Sequence, residues 1–205
     1  MTGYLSFFIT AVLLALTPGP DVLLVVAIAA KEGFNKAIRL TLGLASGVLV
    51  HTGLIILGFS AMISASPLAM NLIALFGAGY LLYLAWLTWR HRHDHLQPAD
   101  GRSIDGSYYW RGVIMNITNP KVLLFFLALF PQFAALEEPG YHLRIAALGG
   151  LFIVATLLVF GGLAWLMAKS TQNIMQKPGF KLIMDWITVG IFVLLAGLLL
   201  YSVVA

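Results

Sequence analysis

The first apolar stretch of the chain contains the sequence LALTPGPDVLLVVAIAA at residues 14–30. Proline has no backbone N–H and its ring clashes with the preceding helical turn. Pro18 and Pro20, on either side of Gly19, therefore predict a break in the helix that this stretch would form. Asp21 stands directly after the break, in otherwise apolar surroundings. The stretch predicts an interrupted helix that carries a carboxylate near its middle.

The same pattern returns 100 residues further on. The sequence PDVLL that begins at Pro20 is matched by the sequence PKVLL that begins at Pro120. Asn119 precedes the second proline, and Lys121 takes the place of the acid. Both breaks free backbone carbonyls, which in lipid must be buried in protein or line a wet cavity. We therefore expect both breaks to face the interior of a helical bundle.

The composition identifies the solvent that the chain requires. Of its 205 residues, 60% are hydrophobic and 10% are charged, and the mean hydropathy is +0.94. Soluble domains carry about 25% charged residues, so an ordinary water-soluble domain is excluded and a bilayer is expected. The net charge of +4 is an orientation signal in such a protein and does not indicate nucleic-acid binding. The chain has no cysteine, which excludes disulfides and thiolate metal sites.

A membrane-spanning helix needs about 20 mostly apolar residues. Six stretches meet this requirement, at about 4–30, 40–63, 69–89, 112–136, 145–168 and 186–205. They predict an all-α integral membrane protein with about six transmembrane helices, of which the first and fourth are broken at proline. We expect one transmembrane domain over 1–205, with repeat 1 at about 1–90, a cytoplasmic loop at 90–111 and repeat 2 at about 112–205.

Basic residues concentrate on one side of the predicted bundle. The loops after the first, third and fifth apolar stretches contain ten of the twelve Lys and Arg residues: Lys31, Lys36, Arg39, Arg90, Arg92, Arg102, Arg111, Lys169, Lys177 and Lys181. The loops on the other side contain only Arg144. Because short loops rich in Lys and Arg stay in the cytoplasm, both termini are predicted to be extracytoplasmic.

Each predicted repeat has three spans, so the second must be inverted relative to the first. Inverted repeats are typical of secondary transporters, whose substrate site lies near the bilayer midplane between the repeats. Asp21 lies ten residues before Lys31, and Lys121 lies ten residues after Arg111. At about 1.5 Å per residue, both charges are expected about 15 Å from the membrane boundary, near the middle of a hydrocarbon core about 30 Å thick.

A carboxylate and an ammonium group at one depth complement a zwitterion such as a free amino acid. Asp21 is expected to bind the substrate ammonium and Lys121 the substrate carboxylate, assisted by the freed backbone groups. Asn116, one turn before the second break, is a further candidate for lining the cavity. The alternative is a structural salt bridge between Asp21 and Lys121.

The second apolar stretch places Gly43, Gly47 and His51 on one stripe, at i, i+4 and i+8. The two glycines predict close packing of helices. His51 is expected near the same midplane, where it either forms a structural hydrogen bond or titrates.

The loop that contains His91, His93, Asp94 and His95 has residues of the metal-ligand type. It is a basic loop without a second ligand cluster, which favours a solvated loop over a metal site. The sequence contains neither G-x-S-x-G nor H-E-x-x-H, and no Walker loop. We therefore expect no cofactor, no metal and no enzymatic activity.

Taken together, these motifs resemble the LysE/RhtB superfamily of bacterial amino-acid exporters. The matching sequences are TPGPD at 17–21, GLASG at 43–47, GYL at 79–81, NPK at 119–121 and LFPQF at 129–133. The resemblance implies seven core positions for substrate binding: Pro18, Gly19, Pro20, Asp21, Asn119, Pro120 and Lys121. It also implies export across the bacterial inner membrane driven by the proton gradient, with Asp21 and His51 as candidate proton carriers.

The prediction is a secondary transporter that exports amino acids from the cytoplasm by proton antiport. Its substrates are expected to be neutral or hydrophobic, or to be like homoserine or threonine. The expected partners are the substrate, protons and the lipid bilayer, without nucleic acid, and the chain is compatible with a homo-oligomer. The alternatives are a carrier of another small solute or cation and an intramembrane enzyme.

Overall fold

A computed structural model describes residues 2–17, 19–62, 67–92, 107–134, 139–169 and 178–204. Within these ranges the protein forms nine helices and no strand. The helices are α1 Thr2–Leu16, α2 Pro20–Glu32, α3 Phe34–Met62, α4 Pro67–Arg90, α5 Tyr108–Thr118, α6 Pro120–Ala128, α7 Pro131–Ala134, α8 Tyr141–Lys169 and α9 Pro178–Val204.

Both predicted breaks are present. α1 ends at Leu16 and α2 begins at Pro20, and the two helices meet at 62°. α5 ends at Thr118 and α6 begins at Pro120. The first position of a helix suits proline, because an N–H there has no intrahelical partner in any case. Each of these prolines therefore begins a new helix. Pro18 lies outside the described residues.

Three segments of the described helices are long and apolar enough to cross a bilayer: Phe34–Gly58, Tyr141–Lys169 and Asp185–Val204. The bent pair Gly3–Leu16 and Pro20–Glu32 makes a fourth span if it crosses as one unit. The protein is thus an all-helical membrane protein, as the composition predicts.

The predicted stretch at 112–136 is not one continuous helix. It is divided among α5, α6 and α7, which have 11, 9 and 4 residues. The chain turns at Leu129 and Phe130 before Pro131 begins α7, an interruption beyond the one predicted at Pro120. Phe130 is completely buried, so this turn belongs to the core of the bundle.

The bundle contains two apolar clusters. One joins most of α1 with α4, α6, α7, α9 and parts of α3 and α8, and the other joins α2 with Ala15 of α1 and with other parts of α3 and α8. Leu14 belongs to the first cluster and Val22 to the second, so the break between α1 and α2 lies where the clusters meet. The polar site described below therefore has apolar packing on either side.

α3 crosses α5 at glycines. A Cβ at Gly43 would overlap the backbone carbonyl of Tyr109, and a Cβ at Gly112 would overlap the backbone carbonyl of Leu40. Glycine allows the two backbones to approach this closely. The contact fixes α5, and with it the break after Thr118, against α3.

Candidate substrate site at the helix breaks

Asp21 lies in the first turn of α2 with 2% of its surface exposed. α2 follows Gly19, whose backbone is extended and which supplies no side-chain cap. The positive end of the helix dipole favours a carboxylate at this position. Asp21 Oδ2 accepts a hydrogen bond from Asn119 Nδ2 at 2.8 Å, whereas Oδ1 is buried and has no hydrogen-bond partner among the described residues. One carboxylate oxygen is therefore available to a ligand or a proton.

Lys121 reaches from α6 to the end of α1. Its Nζ donates to the backbone oxygens of Thr17 at 3.2 Å and Leu14 at 3.4 Å, and to the Thr17 hydroxyl at 3.1 Å. In an unbroken helix the Leu14 carbonyl would accept a hydrogen bond from residue 18, but a proline at that position has no N–H. The Leu14 carbonyl also accepts from the backbone N–H of Thr17 at 3.2 Å. The ammonium group thus adds a cap to the carbonyls at the negative end of α1.

The charges of Asp21 and Lys121 lie close enough to interact electrostatically. They do not form a direct ion pair in the described part of the chain, so the simple salt bridge considered above is not observed there. Gly19 lies beside the ammonium group, because a Cβ at this position would lie 3.2 Å from Lys121 Nζ. A side chain at position 19 would therefore crowd the cation.

Asn119 connects the two charged residues. It lies between α5 and α6, and its Oδ1 accepts a hydrogen bond from the backbone N–H of Lys121 at 3.0 Å, which makes Asn119 the N-cap of α6. The nitrogen of the same amide donates to Asp21. One side chain thus caps α6 and holds the carboxylate.

His51 and Asn116 meet at the end of α5. His51 Nε2 lies 3.2 Å from the backbone oxygen of Asn116, and the His51 ring stacks on Phe126 with ring centroids 5.4 Å apart. Both polar residues have 2% of their surface exposed. The described residues supply no hydrogen-bond partner to His51 Nδ1 or to Asn116 Oδ1.

Gly47 of α3 lies against Asn116. A Cβ at Gly47 would come within 2.6 Å of the Asn116 side chain, so the glycine makes room for this amide in the interface between α3 and α5. Gly149 of α8 makes room for Thr52 in the same way. α3 is thus held between α5 and α8 at the level of the buried polar residues.

The unpartnered atoms at the breaks share one chemical property. Asp21 Oδ1 and Asn116 Oδ1 accept hydrogen bonds, and His51 Nδ1 does so as well when Nε2 carries the hydrogen. Buried polar groups normally have partners, so these acceptors require a donor. Each of these atoms can accept from an N–H donor, and the charged Asp21 carboxylate suits a primary ammonium group.

The remaining predicted residues act through the backbone or lie elsewhere. Pro20 and Pro120 begin α2 and α6, and both rings are exposed. Pro18 and residues 93–95 of the histidine loop lie outside the described residues. Within the ranges that the structure describes, no three His, Cys, Asp or Glu side chains are grouped so that they could hold a metal ion.

Two contributors were not singled out from the sequence. Thr17 accepts hydrogen bonds from Lys121 through both its carbonyl and its hydroxyl, and its hydroxyl donates to the Leu14 carbonyl at 2.5 Å. Its position directly before Pro-Gly-Pro is a signal, since a hydroxyl there can satisfy carbonyls that proline leaves free. Phe126, under the ring of His51, has no such signal because it is one of several phenylalanines in an apolar run.

The fold and the site define a helical membrane protein in which two broken helices bring a buried carboxylate and a buried ammonium group together. The family model of the LysE type translocators matches residues 12–203. The chain belongs to this family, which confirms the resemblance seen in its motifs.

Individual relatives agree with this assignment. The homoserine/homoserine lactone efflux protein of Salmonella typhimurium (strain LT2) is 30% identical over 164 residues, which cover 80% of this chain and 79% of that protein. The protein of the same name in Salmonella typhi is 29% identical over the same shares. An uncharacterized membrane protein of Vibrio cholerae serotype O1 is 32% identical over 131 residues, 63% of this chain and 64% of that protein. No solved structure matches the chain.

Proposed function

We propose that this protein exports small amino compounds from the bacterial cytoplasm across the inner membrane in exchange for protons, with homoserine and homoserine lactone as the first candidates. The observation that carries the proposal is the carboxylate of Asp21. It is buried at a helix N-terminus, Asn119 holds one of its oxygens, and the other oxygen has no partner within the described ranges.

The Asp21 carboxylate suits the group that the two candidate substrates share. Homoserine and its lactone both carry an ammonium group, whereas only homoserine has a free carboxylate. The relatives named above are homoserine/homoserine lactone efflux proteins. A site whose main determinant is an acid accepts both molecules. For homoserine, Lys121 can exchange its contact with the Leu14 or Thr17 carbonyl for the substrate carboxylate.

The proposed exchange with protons rests on Asp21, which serves as the binding group for both the substrate ammonium and the proton. Asp21 can be neutralised by a substrate ammonium or by a proton, but not by both at once, so the two ligands compete for it. His51 is the second candidate carrier. At a membrane potential of about 150 mV, one entering proton supplies about 3.5 kcal/mol, which supports roughly a 300-fold gradient of a neutral amino acid.

The proposed architecture is one domain over 1–205 made of two inverted repeats of three spans. Its support is the pairing of helices: α4 packs against α9 and α3 against α8, and the contact of α3 with α5 has a counterpart in that of α8 with α1. A pseudo-twofold relation between the repeats maps the first two of these pairs onto themselves and the last two onto each other. The excess of basic residues in alternate loops supports extracytoplasmic termini.

The test is uptake of labelled amino compounds into inside-out membrane vesicles, where export from the cytoplasm appears as accumulation. The vesicles are acidified inside, and uptake is measured with and without a protonophore. Asp21→Asn removes the acid with little change of shape. Glu32→Gln is the matched control, because it makes the same chemical change at the exposed end of the same helix.

We expect uptake of homoserine and its lactone that stops with the protonophore and with Asp21→Asn, but continues with Glu32→Gln. Uptake that ignores both the pH gradient and the potential would remove the proton coupling. If well-folded protein accumulates no amino compound, the exporter proposal is wrong and another class of solute must be sought.

A further inference from the structure

The backbone carbonyl of Asn116 marks the second break. In an unbroken helix it would accept a hydrogen bond from the N–H of residue 120, which Pro120 lacks. It accepts instead from the backbone N–H of Asn119 at 3.1 Å, and His51 Nε2 lies 3.2 Å from it. Because His51 belongs to α3, a neighbouring helix supplies the donor that the proline has removed.

The first break uses the same device. The Leu14 carbonyl, four residues before a proline in the sequence, accepts a hydrogen bond from Lys121 of α6. At both breaks, a carbonyl that loses its helical donor to proline therefore contacts a side chain of another helix, in addition to the backbone N–H three residues further on. The donors differ, since the first is a cation and the second is an imidazole.

The surroundings of His51 favour a neutral ring. A carbonyl only accepts, so Nε2 carries the hydrogen and Nδ1 is an acceptor. In the described part of the chain, the ring interacts with the Asn116 carbonyl and Phe126, without a charged side chain. The nearby ionisable groups, Asp21 of α2 and Lys121 of α6, make their contacts at the first break. A second proton on the ring would bury an uncompensated charge.

Asn119 connects the Asn116 carbonyl to the carboxylate of Asp21. Its backbone N–H donates to the same Asn116 oxygen that faces His51, and its side-chain amide donates to Asp21. A shift of the Asn116 carbonyl would therefore move the group that holds the carboxylate.

We propose that His51 is a positioning residue whose neutral Nε2–H replaces the donor missing at Pro120, and that Asp21 alone carries the exchanged proton. This inference rests on the proposed function, because it assigns separate roles to the two candidate proton carriers. His51 fixes the Asn116 carbonyl, which fixes Asn119, and Asn119 orients Asp21 toward its ligand.

Three substitutions of His51 distinguish the contributions of its N–H donor, its aromatic ring and its ability to bind a proton. His51→Gln brings an amide N–H to about the place of Nε2 and does not titrate. His51→Asn introduces the same amide on a side chain too short to reach. His51→Phe keeps an aromatic ring against Phe126 without a donor.

The readout is gradient-driven homoserine uptake into the acid-inside vesicles. We expect His51→Gln to keep at least about half of the wild-type rate, with the wild-type response to the protonophore. His51→Asn and His51→Phe are expected to lose about tenfold in rate, the effect of one buried hydrogen bond. Accumulation in His51→Gln that no longer depends on the gradient would overturn the proposal, because His51 would then carry the proton. Full activity of His51→Phe would overturn it as well, and so would equal losses in His51→Gln and His51→Asn.

Hydrogen–deuterium exchange of the purified protein over residues 117–122 gives a readout that does not need transport. We expect faster exchange in His51→Asn and His51→Phe than in His51→Gln and the wild type, because the break loses a support. Equal exchange in all four proteins would overturn the positioning role. If the wild type transports no amino compound, the proposed function fails, while the exchange pattern still decides the role of His51.

Discussion

The two helix breaks have similar sequences and different chemistry. At the first, α1 ends against the ammonium group of Lys121, and α2 begins after Gly19 with Asp21 in its first turn. At the second, α5 ends against the imidazole of His51, and α6 begins after Asn119, whose side-chain oxygen caps the helix. Both charged groups thus lie at the first break, whereas neutral side chains satisfy the backbone groups at the second.

This difference assigns separate tasks to the two breaks. Lys121 comes from the second half of the chain, yet its ammonium group is bound at the first break. The echo between the motifs that contain Asp21 and Lys121 therefore does not produce two equivalent ligand sites. Under the proposed function, a charged substrate binds at the first break, and the second break orients the residues that hold it there.

After Asp21→Asn, the largest effect is expected from Lys121→Met, which tests whether the first break depends on its cation. The substitution removes the donor to the Thr17 carbonyl, leaves the Leu14 carbonyl with hydrogen bonds from Thr17 alone, and leaves Asp21 without its neighbouring positive charge. Losing one partner of a buried charged group costs about 3–5 kcal/mol of folding stability. Transport should also fall by roughly 100-fold, because the site at the first break loses its cation. Uptake of homoserine and its lactone in vesicles measures the effect.

Lys121 has two proposed roles, to cap the end of α1 and to bind the substrate carboxylate, and a matched variant distinguishes them. Lys121→Arg keeps the charge and should retain part of the activity. If the ammonium group also binds the substrate carboxylate, Lys121→Met should reduce homoserine transport more than lactone transport. Wild-type rates in Lys121→Met would show that the first break functions without its cation, and the contrast between the breaks would lose its meaning.

The next effect concerns Asn119, the residue that joins the two breaks. Asn119→Ser keeps an oxygen that can cap α6 but loses the amide N–H that reaches Asp21 from the longer side chain, and the homoserine KM should rise about tenfold. Asn119→Asp also keeps the cap but places a second carboxylate against the first. Its defect should exceed that of Asn119→Ser at pH 8 and shrink at pH 6, because one shared proton restores a hydrogen bond between the acids. The measurement is the homoserine transport kinetics of each variant relative to wild type at pH 8 and pH 6. The same pH response in Asn119→Ser would contradict a proton shared between the two acids.

The sequence predicted the location of the breaks because their cause is local. Pro20 and Pro120 lack an N–H wherever they occur, and the apolar runs around them report membrane depth without any tertiary information. Counting residues to the basic flanks predicts a common depth for Asp21 and Lys121, and this depth stays a prediction. The class of protein and the location of the candidate site were therefore accessible from the sequence.

The partners of the buried donors were not accessible in the same way. Lys121 contacts backbone oxygens of Leu14 and Thr17, and His51 contacts a backbone oxygen of Asn116. Every residue has a carbonyl, so the sequence does not indicate which one a distant side chain will reach. That Asp21 and Lys121 form a zwitterion-binding pair stays a prediction, and the sequence did not indicate that the Lys121 ammonium group is already bound to the end of α1.

A smaller effect is expected where α3 supports the second break. Gly47→Ala would push a Cβ into the Asn116 side chain, and such overpacking costs about 1–3 kcal/mol. The melting temperature of the purified protein should fall by several degrees, and transport should fall a few-fold because Asn116 shifts. The matched control is Gly53→Ala on the same helix, where a Cβ would have nothing within 4 Å. Equal melting temperatures for the two variants would mean that the contact with Asn116 does not support the break.

The smallest effect is expected at the exposed rim, where Glu32 of α2 accepts hydrogen bonds from Lys36 Nζ at 2.7 Å and from the Tyr108 hydroxyl at 2.5 Å. These contacts link α2, α3 and α5, the helices on which both breaks depend, so the rim could hold the breaks together as the buried network does. Water and salt screen exposed ion pairs, and such pairs contribute little. Glu32→Gln should therefore change the homoserine uptake rate by less than about twofold, and the difference should vanish as salt is raised. A loss as large as that of Lys121→Met would mean that the rim, and not the buried polar network, controls the geometry of the site.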